Sequence, residues 1–297
     1  MKKTNAGTEI AQPNKISIRF FNDREVRAVW DEDNNKWWFS VVDVIASLKI
    51  SENPRNYWKV LKNRLKNSGS QLVTKCNQLK LTSSDGKKYL TDTLDMDAIK
   101  ELATILKATE FLEWFLYSEN TIDGQSKKKA YSLFESRLLT SLEPGTVKSL
   151  QQIHAYLFGG LYDFAGQIRD KNISKGGFTF ANALHFPTIL KIIENMPETT
   201  FDEILDKYVE MNIAHPFMEG NGRTTRIWLD LILKRSLKKC VDWSMINKTD
   251  YLAAMRRSVT NSDDIKTLVR NALTNKIHDR EMFMKGIDYS YYYEENE

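Results

Sequence analysis

The sequence has 297 residues, of which 41% are hydrophobic and 28% are charged. This globular composition excludes a collagen-like chain and a wholly disordered one, and the length favours about two domains. The 43 basic and 39 acidic residues give a net charge of +4, and no apolar run reaches the roughly 18–20 residues of a membrane span. The first residues include two lysines without a following apolar segment, so we expect a cytoplasmic protein with no secretory signal and no membrane partner.

The excess positive charge is concentrated in residues 49–90. This stretch contains ten lysines and arginines against two acidic residues, Glu52 and Asp85. A basic patch of this kind attracts polyanions such as nucleic acids, but it also simply keeps a surface solvated.

Cysteine and histidine usage argues against a metal cluster. Cys76 and Cys240 are too few for a disulfide framework or a cysteine-rich zinc site, and we interpret both as buried, reduced thiols. Three histidines, His154, His185 and His278, are dispersed without metal-ligand spacing and are interpreted as structural.

The first third of the chain predicts a small α+β domain over residues 15–110. Residues 1–14 are polar and are predicted to be a disordered tail. Residues 16–42 alternate apolar and polar positions between turn sequences, which predicts a β-meander. Two short helices and a strand pair follow, at residues 43–48, 56–65 and 71–91.

From Thr93 onward the apolar residues recur with a period of about 3.6, which predicts helices. These are expected near residues 127–140, 146–159, 183–195, 201–214, 222–238, 249–259 and 263–285. Residues 169–182 interrupt the pattern with adjacent glycines and predict a β-hairpin. The chain is therefore predicted to be mainly α: the α+β domain precedes an all-α domain with one hairpin, residues 111–287, and a last helix, residues 288–297.

Residues 215–226 carry the clearest chemistry of the sequence. They read His-Pro-Phe-Met-Glu-Gly-Asn-Gly-Arg-Thr-Thr-Arg. The glycine-rich turn directly precedes a predicted helix, whose unpaired N–H groups and dipole favour an anion. Arg223 and Arg226 lie three residues apart on one face of that helix and add two guanidiniums that suit phosphate.

Glu219 and His215 complete this candidate phosphate site. A lone carboxylate repels phosphate, but with Mg²⁺ between them it becomes a metal ligand. A histidine beside a bound phosphate is a candidate general base. The alternative is an ordinary connection between two helices with a charged surface, but this many residue types at fixed spacing rarely coincide by chance.

The segment 215–226 resembles the signature HxFx(D/E)GNGRxxR of the Fic family and matches it at every defined position. The resemblance continues upstream in residues 153–158, 162–169 and 173–178, and it covers roughly residues 120–290. It implies a Fic-type helical domain that transfers AMP from ATP to a serine, threonine or tyrosine hydroxyl of a target protein, with release of pyrophosphate.

The resemblance also implies a role for each motif side chain. His215 would deprotonate the target hydroxyl, Phe217 would anchor the motif loop in the core, and Glu219 would hold Mg²⁺ on the α- and β-phosphates. Arg223 would hold the β-phosphate and Arg226 the γ-phosphate.

The Gly220, Asn221 and Gly222 N–H groups would bind the phosphates. A related type, the Doc toxin, binds ATP in reverse and transfers the γ-phosphate, and it carries lysine where this chain has Gly222. The small Gly222 leaves room for the usual orientation of ATP, so AMP transfer is favoured over phosphate transfer.

The predicted hairpin resembles the flap with which the family docks a target segment by strand addition. The alternative is a hairpin that merely closes a gap. The flap residues in this chain are Lys175, Gly176, Gly177 and Phe178.

The C-terminus resembles the inhibitory motif (S/T)xxxE(G/N) of one Fic class. The resemblance implies that Ser290 and Glu294 form a brake in which Glu294 pairs with Arg226 and blocks the γ-phosphate. Position 295 departs from the motif because it is Glu295, and a second register ending there would begin at Tyr291 and lack the serine or threonine. Tyr291 itself is a candidate self-modification site.

Residues 15–110 resemble, more loosely, the BRO N-terminal domain of phage antirepressor-like proteins, which implies DNA binding. The alternatives are a lysine-solvated surface and a module that recruits a protein. A second hypothesis for the whole chain is a DNA-binding regulator whose Fic part senses nucleotide, but an intact His215 favours an enzyme. The target protein and a homo-oligomeric state stay open.

Overall fold

The computed structural model describes residues 15–31, 33–34, 36–83, 86–117, 120–175 and 177–295. The chain divides into two compact units, Met1–Leu112 and Glu113–Glu297. The disordered tail predicted for residues 1–14 lies outside the described residues, as does Gly176 of the predicted flap. None of the helices in the described ranges combines the length and the apolar character that a bilayer crossing requires.

The first unit is built on one antiparallel sheet. Its strands are β1 (Lys15–Phe21), β2 (Arg24–Asp31), β3 (Lys36–Ser40), β4 (Asn77–Thr82) and β5 (Lys88–Asp95). They are hydrogen-bonded in the order β1-β2-β3-β5-β4, so the β-meander predicted for residues 16–42 is confirmed as β1 to β3. Alternation along β2 points Val26 and Ala28 into the core, where both are fully buried.

Helices cover part of this sheet. They are α1 (Val41–Ser47), α2 (Pro54–Asn67) and α3 (Met96–Ile105), and α4 (Thr109–Tyr117) follows across the boundary between the two units. The first three start at N-caps, because Ser40, Asn53 and Asp95 each accept a hydrogen bond from a main-chain N–H of the first turn. The strand predicted from residue 71 is wrong at its start: residues 71–75 form a 3₁₀ turn, since the preceding serine caps them.

The second unit is mainly helical. Its helices are α5 (Ile122–Leu133), α6 (Leu138–Ser141), α7 (Val147–Phe158), α8 (Phe186–Glu194), α9 (Phe201–Ala214), α10 (Asn221–Leu237), α11 (Lys248–Arg257), α12 (Asp263–Asn271) and α13 (Arg280–Tyr292). Two short antiparallel pairs interrupt them, β6 (Ser174–Lys175) with β7 (Phe178–Thr179) and β8 (Cys240–Val241) with β9 (Leu273–Thr274). The predicted fold class is confirmed. The β8–β9 pair is a second short strand pair, which was not predicted.

Helix α10 lies at the centre of the second unit, because it packs against α7, α9 and α13. Trp228, Leu229 and Ile232 of this helix are fully buried. The indole N–H of Trp228 donates to the carbonyl of Thr146 at 3.0 Å, so the buried polar atom is satisfied. A helix with neighbours on several sides carries apolar residues around most of its surface, and its position is fixed by packing.

The single helix predicted over residues 263–285 is wrong. Helix α12 ends at Asn271, and the next residues pair with β8 before α13 begins. The N–H of Asp242 donates to the carbonyl of Ala272 at 2.8 Å, and the Asp279 carboxylate caps α13. A strand partner upstream in the chain and a new N-cap thus override the local helical pattern.

Both cysteines are free thiols. Cys240 is buried as predicted, whereas Cys76 is only half-buried. Burial raises the pKa of each thiol to about 11, so both stay protonated at neutral pH.

Candidate active site

The predicted motif forms the connection between α9 and α10. Helix α9 ends at Ala214, and His215 follows in the left-handed region with a φ of +52°. The N–H of His215 donates to the carbonyl of Met211 at 3.0 Å, which closes the last turn. The Asn221 side chain then holds the loop together, because it donates to the carbonyl of Phe217 and accepts from the N–H of Phe217, both at 2.8 Å.

The first turn of α10 presents main-chain donors. Gly220 precedes it with a φ of +80°, and a Cβ there would lie 2.4 Å from the Phe158 ring. Both the backbone conformation and the close contact therefore require glycine. In the part of the chain that the structure describes, the N–H groups of Asn221, Gly222 and Arg223 have no acceptor. Together with the helix dipole, these groups form a place for an anion.

The Arg223 side chain is only 4% exposed. Its Nη1 donates to Oδ1 of Asp123, and its Nη2 donates to Oε1 of Glu219 at 2.8 Å. The guanidinium carbon lies 5.1 Å from the Phe158 ring centre and 5.5 Å from that of Tyr291, within cation–π distance of both. Burial lowers the pKa of Arg223, but the nearby negative charges, Asp123 first, raise it more, and the group remains charged.

Arg226 is almost fully buried, and all its nitrogens are engaged. Its Nε donates to Oγ of Ser290 and its Nη2 to the carbonyl of Ser290, both at 2.7 Å. Its Nη1 donates to the Tyr251 hydroxyl at 3.1 Å, and its Nη2 also binds the Glu294 carboxylate. An incoming phosphate must therefore displace one of these acceptors.

Glu294 follows α13 and lies against the first turn of α10. A Cβ added at Gly222 would be 2.2 Å from its Oε1. Of the adjacent acids Glu294 and Glu295, it is Glu294 whose carboxylate binds Arg226. Burial raises the pKa of Glu294, but the charge of Arg226 and the hydrogen bond to it lower the pKa more, so the carboxylate is ionised. The hydroxyl of Tyr291 is buried and donates to Oγ of Ser126 at 3.0 Å.

The His215 ring is held by a hydrogen bond and a stacking contact. Its Nδ1 lies 3.3 Å from the carbonyl of Asn212, and since a carbonyl only accepts, Nδ1 carries the hydrogen. The Phe180 ring stacks on the imidazole with 3.8 Å between centroids. Burial lowers the pKa of His215 to about 4. The ring is therefore neutral at pH 7, with a lone pair on Nε2, which is the state that a general base requires.

Arg169 joins the base of the predicted flap to the His215 loop. Its guanidinium donates to the carbonyls of His215 at 2.8 Å, Ala181 at 2.7 Å and Ala214 at 3.1 Å. The N–H of Ala181 also donates to the carbonyl of Ile213 at 3.3 Å. The segment that follows the hairpin is thus bonded to the end of α9, beside the candidate base.

Three of the predicted flap residues, Lys175, Gly177 and Phe178, lie in the β6–β7 hairpin. Lys175 pairs with Phe178 across the turn, and Gly177 has a φ of +79°, which favours glycine. Gly176, the fourth predicted residue, lies outside the described residues. The side chains of Lys175 and Thr179 are exposed, so the hairpin stands at the surface.

Glu219, the predicted Mg²⁺ ligand, has a side chain that is 52% exposed. Its Oε1 accepts from Arg223 and from the N–H of Gly220 at 3.0 Å, so the Gly220 donor predicted for phosphate is engaged within the loop. Its main-chain carbonyl accepts from Nε2 of His154 at 2.9 Å, while Nδ1 of His154 accepts from Gly166 at 2.8 Å. Mg²⁺ binds in proteins through one or two carboxylates and substrate phosphates, and an accessible carboxylate beside the anion site fits this.

Sequence reasoning assigned no role to Asp123 or Arg169, although both contact predicted site residues directly. It also assigned phosphate binding to Asn221 through its N–H alone, whereas the side chain of Asn221 shapes the loop.

Comparison with known proteins identifies the region that contains this site. Residues 144–233 match the model of the Fic/DOC family. The protein adenylyltransferase VbhT of Bartonella schoenbuchensis is 32% identical over 139 residues, which are 42% of this chain and 28% of VbhT. The probable protein adenylyltransferase y4lH of Sinorhizobium fredii is 28% identical over 142 residues, which are 42% of this chain and 72% of y4lH.

Among solved structures, BepC of Bartonella tribocorum with bound AMPPNP aligns with 52% of this chain and 84% of that one, at 20% identity and a TM-score of 0.45. This chain spans less than a third of the length of VbhT. Residues 144–233 are thus similar to the Fic/DOC family, and the two relatives compared with this region are named a protein adenylyltransferase and a probable protein adenylyltransferase.

Proposed function

We propose that this chain is a protein adenylyltransferase, which transfers AMP from ATP to a serine, threonine or tyrosine hydroxyl of a target protein. One observation carries the proposal. Within the described ranges, three N–H groups without acceptors, two buried guanidiniums and a neutral imidazole lie around the junction of α9 and α10. A triphosphate needs the first two, and a hydroxyl that attacks phosphorus needs the third.

The proposed reaction is a displacement at the α-phosphorus. Nε2 of His215 accepts the proton of the target hydroxyl as the hydroxyl oxygen bonds to the α-phosphorus. The bond from that phosphorus to the oxygen bridging the β-phosphate breaks, and pyrophosphate leaves with the electron pair. The products are an AMP ester of the target, pyrophosphate and a protonated His215.

The chain's own donors are proposed to hold the phosphates. The N–H groups of Asn221 and Gly222 bind phosphate oxygens, Arg223 holds the β-phosphate, and Arg226 holds the γ-phosphate. Donors fixed in place before the reaction stabilise the charge of the leaving group without reorganisation. Mg²⁺ held by Glu219 would supply further positive charge to the departing pyrophosphate.

The β6–β7 hairpin is proposed to dock the target segment by strand addition. Its surface position and its hydrogen-bonded connection to the His215 loop through Arg169 support this role. A strand added there would bring its hydroxyl to the side of the site that His215 occupies.

Glu294 and Ser290 are proposed to hold the enzyme inactive. The Glu294 carboxylate occupies the guanidinium that the γ-phosphate needs, so ATP cannot take its productive position until the end of α13 moves. The hydroxyl of Tyr291 is buried while α13 is docked. Modification of Tyr291 by the enzyme itself therefore requires the same movement.

ATP labelled on either the α- or the γ-phosphate tests the reaction. The Glu294→Gly variant, incubated with a cell lysate, is expected to transfer the α-label to protein and to leave the γ-label in pyrophosphate. Gly222 supports this orientation, because a side chain there would enter the space beside Arg226. Transfer of the γ-label alone would replace the proposal by phosphate transfer of the Doc type.

For the first unit we propose DNA binding, on the basis of the exposed surface of α2. Arg55, Lys59, Arg64 and Lys66 are all exposed on this helix, and the helix contains no acidic residue. Its apolar side chains Trp58, Leu61 and Leu65 face the core, so the basic side chains are presented to solvent on a rigid element. Such a surface can neutralise phosphates of a duplex.

A further inference from the structure

Asp123 is a carboxylate outside the motif that contacts the centre of the candidate phosphate site. It lies in the first turn of α5, and its Oδ1 accepts from Nη1 of Arg223. The side chain of Asp123 is 56% exposed, whereas that of Arg223 is 4% exposed. A half-exposed carboxylate therefore covers one terminal nitrogen of a buried guanidinium.

The guanidinium of Arg223 is occupied by carboxylates but incompletely bonded. Glu219 takes Nη2, Asp123 takes Nη1, and Nε is buried without an acceptor among the described residues. A buried donor without a partner costs free energy, so the guanidinium can still gain from a further acceptor. A phosphate offers several oxygens, but it reaches the terminal nitrogens only if a carboxylate leaves.

The two carboxylates differ in how firmly they are held. Glu219 lies four residues before Arg223 and also accepts from the N–H of Gly220, so several contacts fix it. For the carboxylate of Asp123, Arg223 is the hydrogen-bond donor within the described residues. Both side chains are about half-exposed, so the number of donors distinguishes them, and Asp123 is the partner that gives way most easily.

We propose that Asp123 is the carboxylate that Arg223 exchanges for a β-phosphate, so that Asp123 sets the affinity of the site for diphosphate-containing ligands. The inference rests on the proposed function in one respect, the placing of the β-phosphate on Arg223. It predicts that removal of the Asp123 charge strengthens binding of ligands with a β-phosphate and leaves binding of AMP unchanged, because AMP has no group to compete.

Calorimetric titration of the full chain tests this, with the Glu294→Gly variant as the parent so that α13 does not compete. Inorganic pyrophosphate, ADP and AMP are titrated in turn, with Mg²⁺ present and absent. Asp123→Asn is expected to bind pyrophosphate and ADP about 3- to 10-fold more tightly than the parent, as expected for loss of a partly exposed competing ion pair. Asp123→Ser also removes the charge, and it is expected to bind pyrophosphate and ADP more tightly by a similar factor.

Asp202→Asn is a matched control. Asp202 is also in the first turn of its helix and 56% exposed, and it pairs with an arginine, Arg270, at 2.6 Å. Like Asp123→Asn, the Asp202→Asn variant removes one negative charge from this unit. We expect it to bind pyrophosphate and ADP as tightly as the parent does. Equal tightening in this control would mean that net charge alone is responsible, which would overturn the proposal.

The other outcomes are equally decisive. Unchanged or weaker pyrophosphate binding in Asp123→Asn would overturn the proposal, and weakening only with Mg²⁺ would assign Asp123 to the cation. Absence of pyrophosphate binding in parent and variants would overturn it too, because a released Arg223 would then attract no anion. Failure of the proposed function would look different. Pyrophosphate and ADP would then bind Asp123→Asn more tightly as expected, while no variant would transfer the α-label from ATP to protein.

Discussion

The imidazole of His215 differs from a free histidine in two ways that matter for a base. Its hydrogen bond to Asn212 fixes the tautomer with the lone pair on Nε2, and burial, partly under Phe180, lowers its pKa to about 4. A free histidine, with an ordinary pKa of about 6.5, is largely protonated at pH 6. His215 is neutral there, so its capacity to accept a proton persists into mildly acidic solution.

The pH dependence of AMP transfer should reflect this lowered pKa. A base is active when deprotonated, so kcat/KM of the Glu294→Gly variant is expected to stay level from pH 8 to about 5.5 and to fall only below about pH 5. Initial rates with α-labelled ATP at constant Mg²⁺ measure this. An acid limb centred near pH 6.5 would contradict the assigned environment of His215.

At the residue scale, the motif side chains were predictable and their partners were not. The motif spans only twelve residues, and its side chains are those of His215, Glu219, Arg223 and Arg226. Their spacing along one loop and the helix that follows it is enough to predict that they lie close together. Asp123 lies 100 residues before Arg223, and one sequence contains no record of a contact at that separation. The same applies to Arg169, whose guanidinium binds main-chain carbonyls that no residue type reveals.

Among the elements, α13 is the one on which the proposed inhibition depends. It packs on α5 and α10, and several of its contacts are polar. Asp288, whose side chain is 1% exposed, binds Nζ of Lys127 at 2.8 Å and the hydroxyl of Tyr131. Ser290 and the Glu294 that follows the helix bind Arg226. An interface with buried charges is sensitive to the loss of a single partner.

Asp288→Asn is therefore expected to loosen α13 without removing a motif residue. The change removes the negative charge that Asp288 presents to the Lys127 ammonium and should weaken docking by about 1–3 kcal/mol. Hydrogen exchange in residues 280–292 is expected to accelerate, and AMP transfer should rise part of the way towards the Glu294→Gly level. The control is Asp264→Asn, at an exposed pair with Arg257. Unaltered exchange in residues 280–292 of Asp288→Asn would refute this account of docking.

The segment that links the hairpin to α9 leads to a second prediction at this scale. Arg169→Lys keeps the charge but cannot reach the carbonyls of His215, Ala181 and Ala214 together, because lysine lacks the guanidinium fork. In the Glu294→Gly background we expect kcat to fall about tenfold to a hundredfold through misplacement of His215. ATP binding, measured by titration, should change little. Loss of binding with kcat retained would argue against this positioning role.

Element boundaries were predictable where capping chemistry is local. The helix predicted at residues 201–214 coincides with α9, which has a capping box formed by Thr200 and Glu203. The break inside residues 263–285 was not predictable in this way, since it depends on pairing with Cys240–Val241. The last helix was predicted at residues 288–297, whereas α13 begins at Arg280 and ends at Tyr292. Tyr289, Tyr291 and Tyr293 are buried.

For the whole molecule, the uneven distribution of charge is the feature that composition already indicates. Ten of the basic residues and only two acidic ones lie between residues 49 and 90, and the first unit exposes several of them on α2. The fold class was predictable because a change from period 2 to period 3.6 marks the passage from sheet to helices. A DNA-binding role depends on surface charge, which a sequence window only approximates.

Duplex binding by the full chain should depend steeply on salt. A protein that neutralises phosphates releases counterions, so the logarithm of affinity falls linearly with the logarithm of salt concentration. Removing two phosphate contacts with the double variant Lys59→Ala/Arg64→Ala is expected to reduce that slope by about two. Lys75→Ala, at a lysine paired with Glu101, serves as the control in gel shifts. No duplex binding at low salt would eliminate this role.

The central claim is that His215 performs AMP transfer while Glu294 restrains it. Its most direct test compares four full-length proteins in one lysate with α-labelled ATP and Mg²⁺: the unaltered chain, Glu294→Gly, His215→Ala and the double variant. Glu294→Gly is expected to label protein far more strongly than the unaltered chain, and both proteins with His215→Ala are expected to give none. Equal labelling by the Glu294→Gly variant and the double variant would contradict the claim.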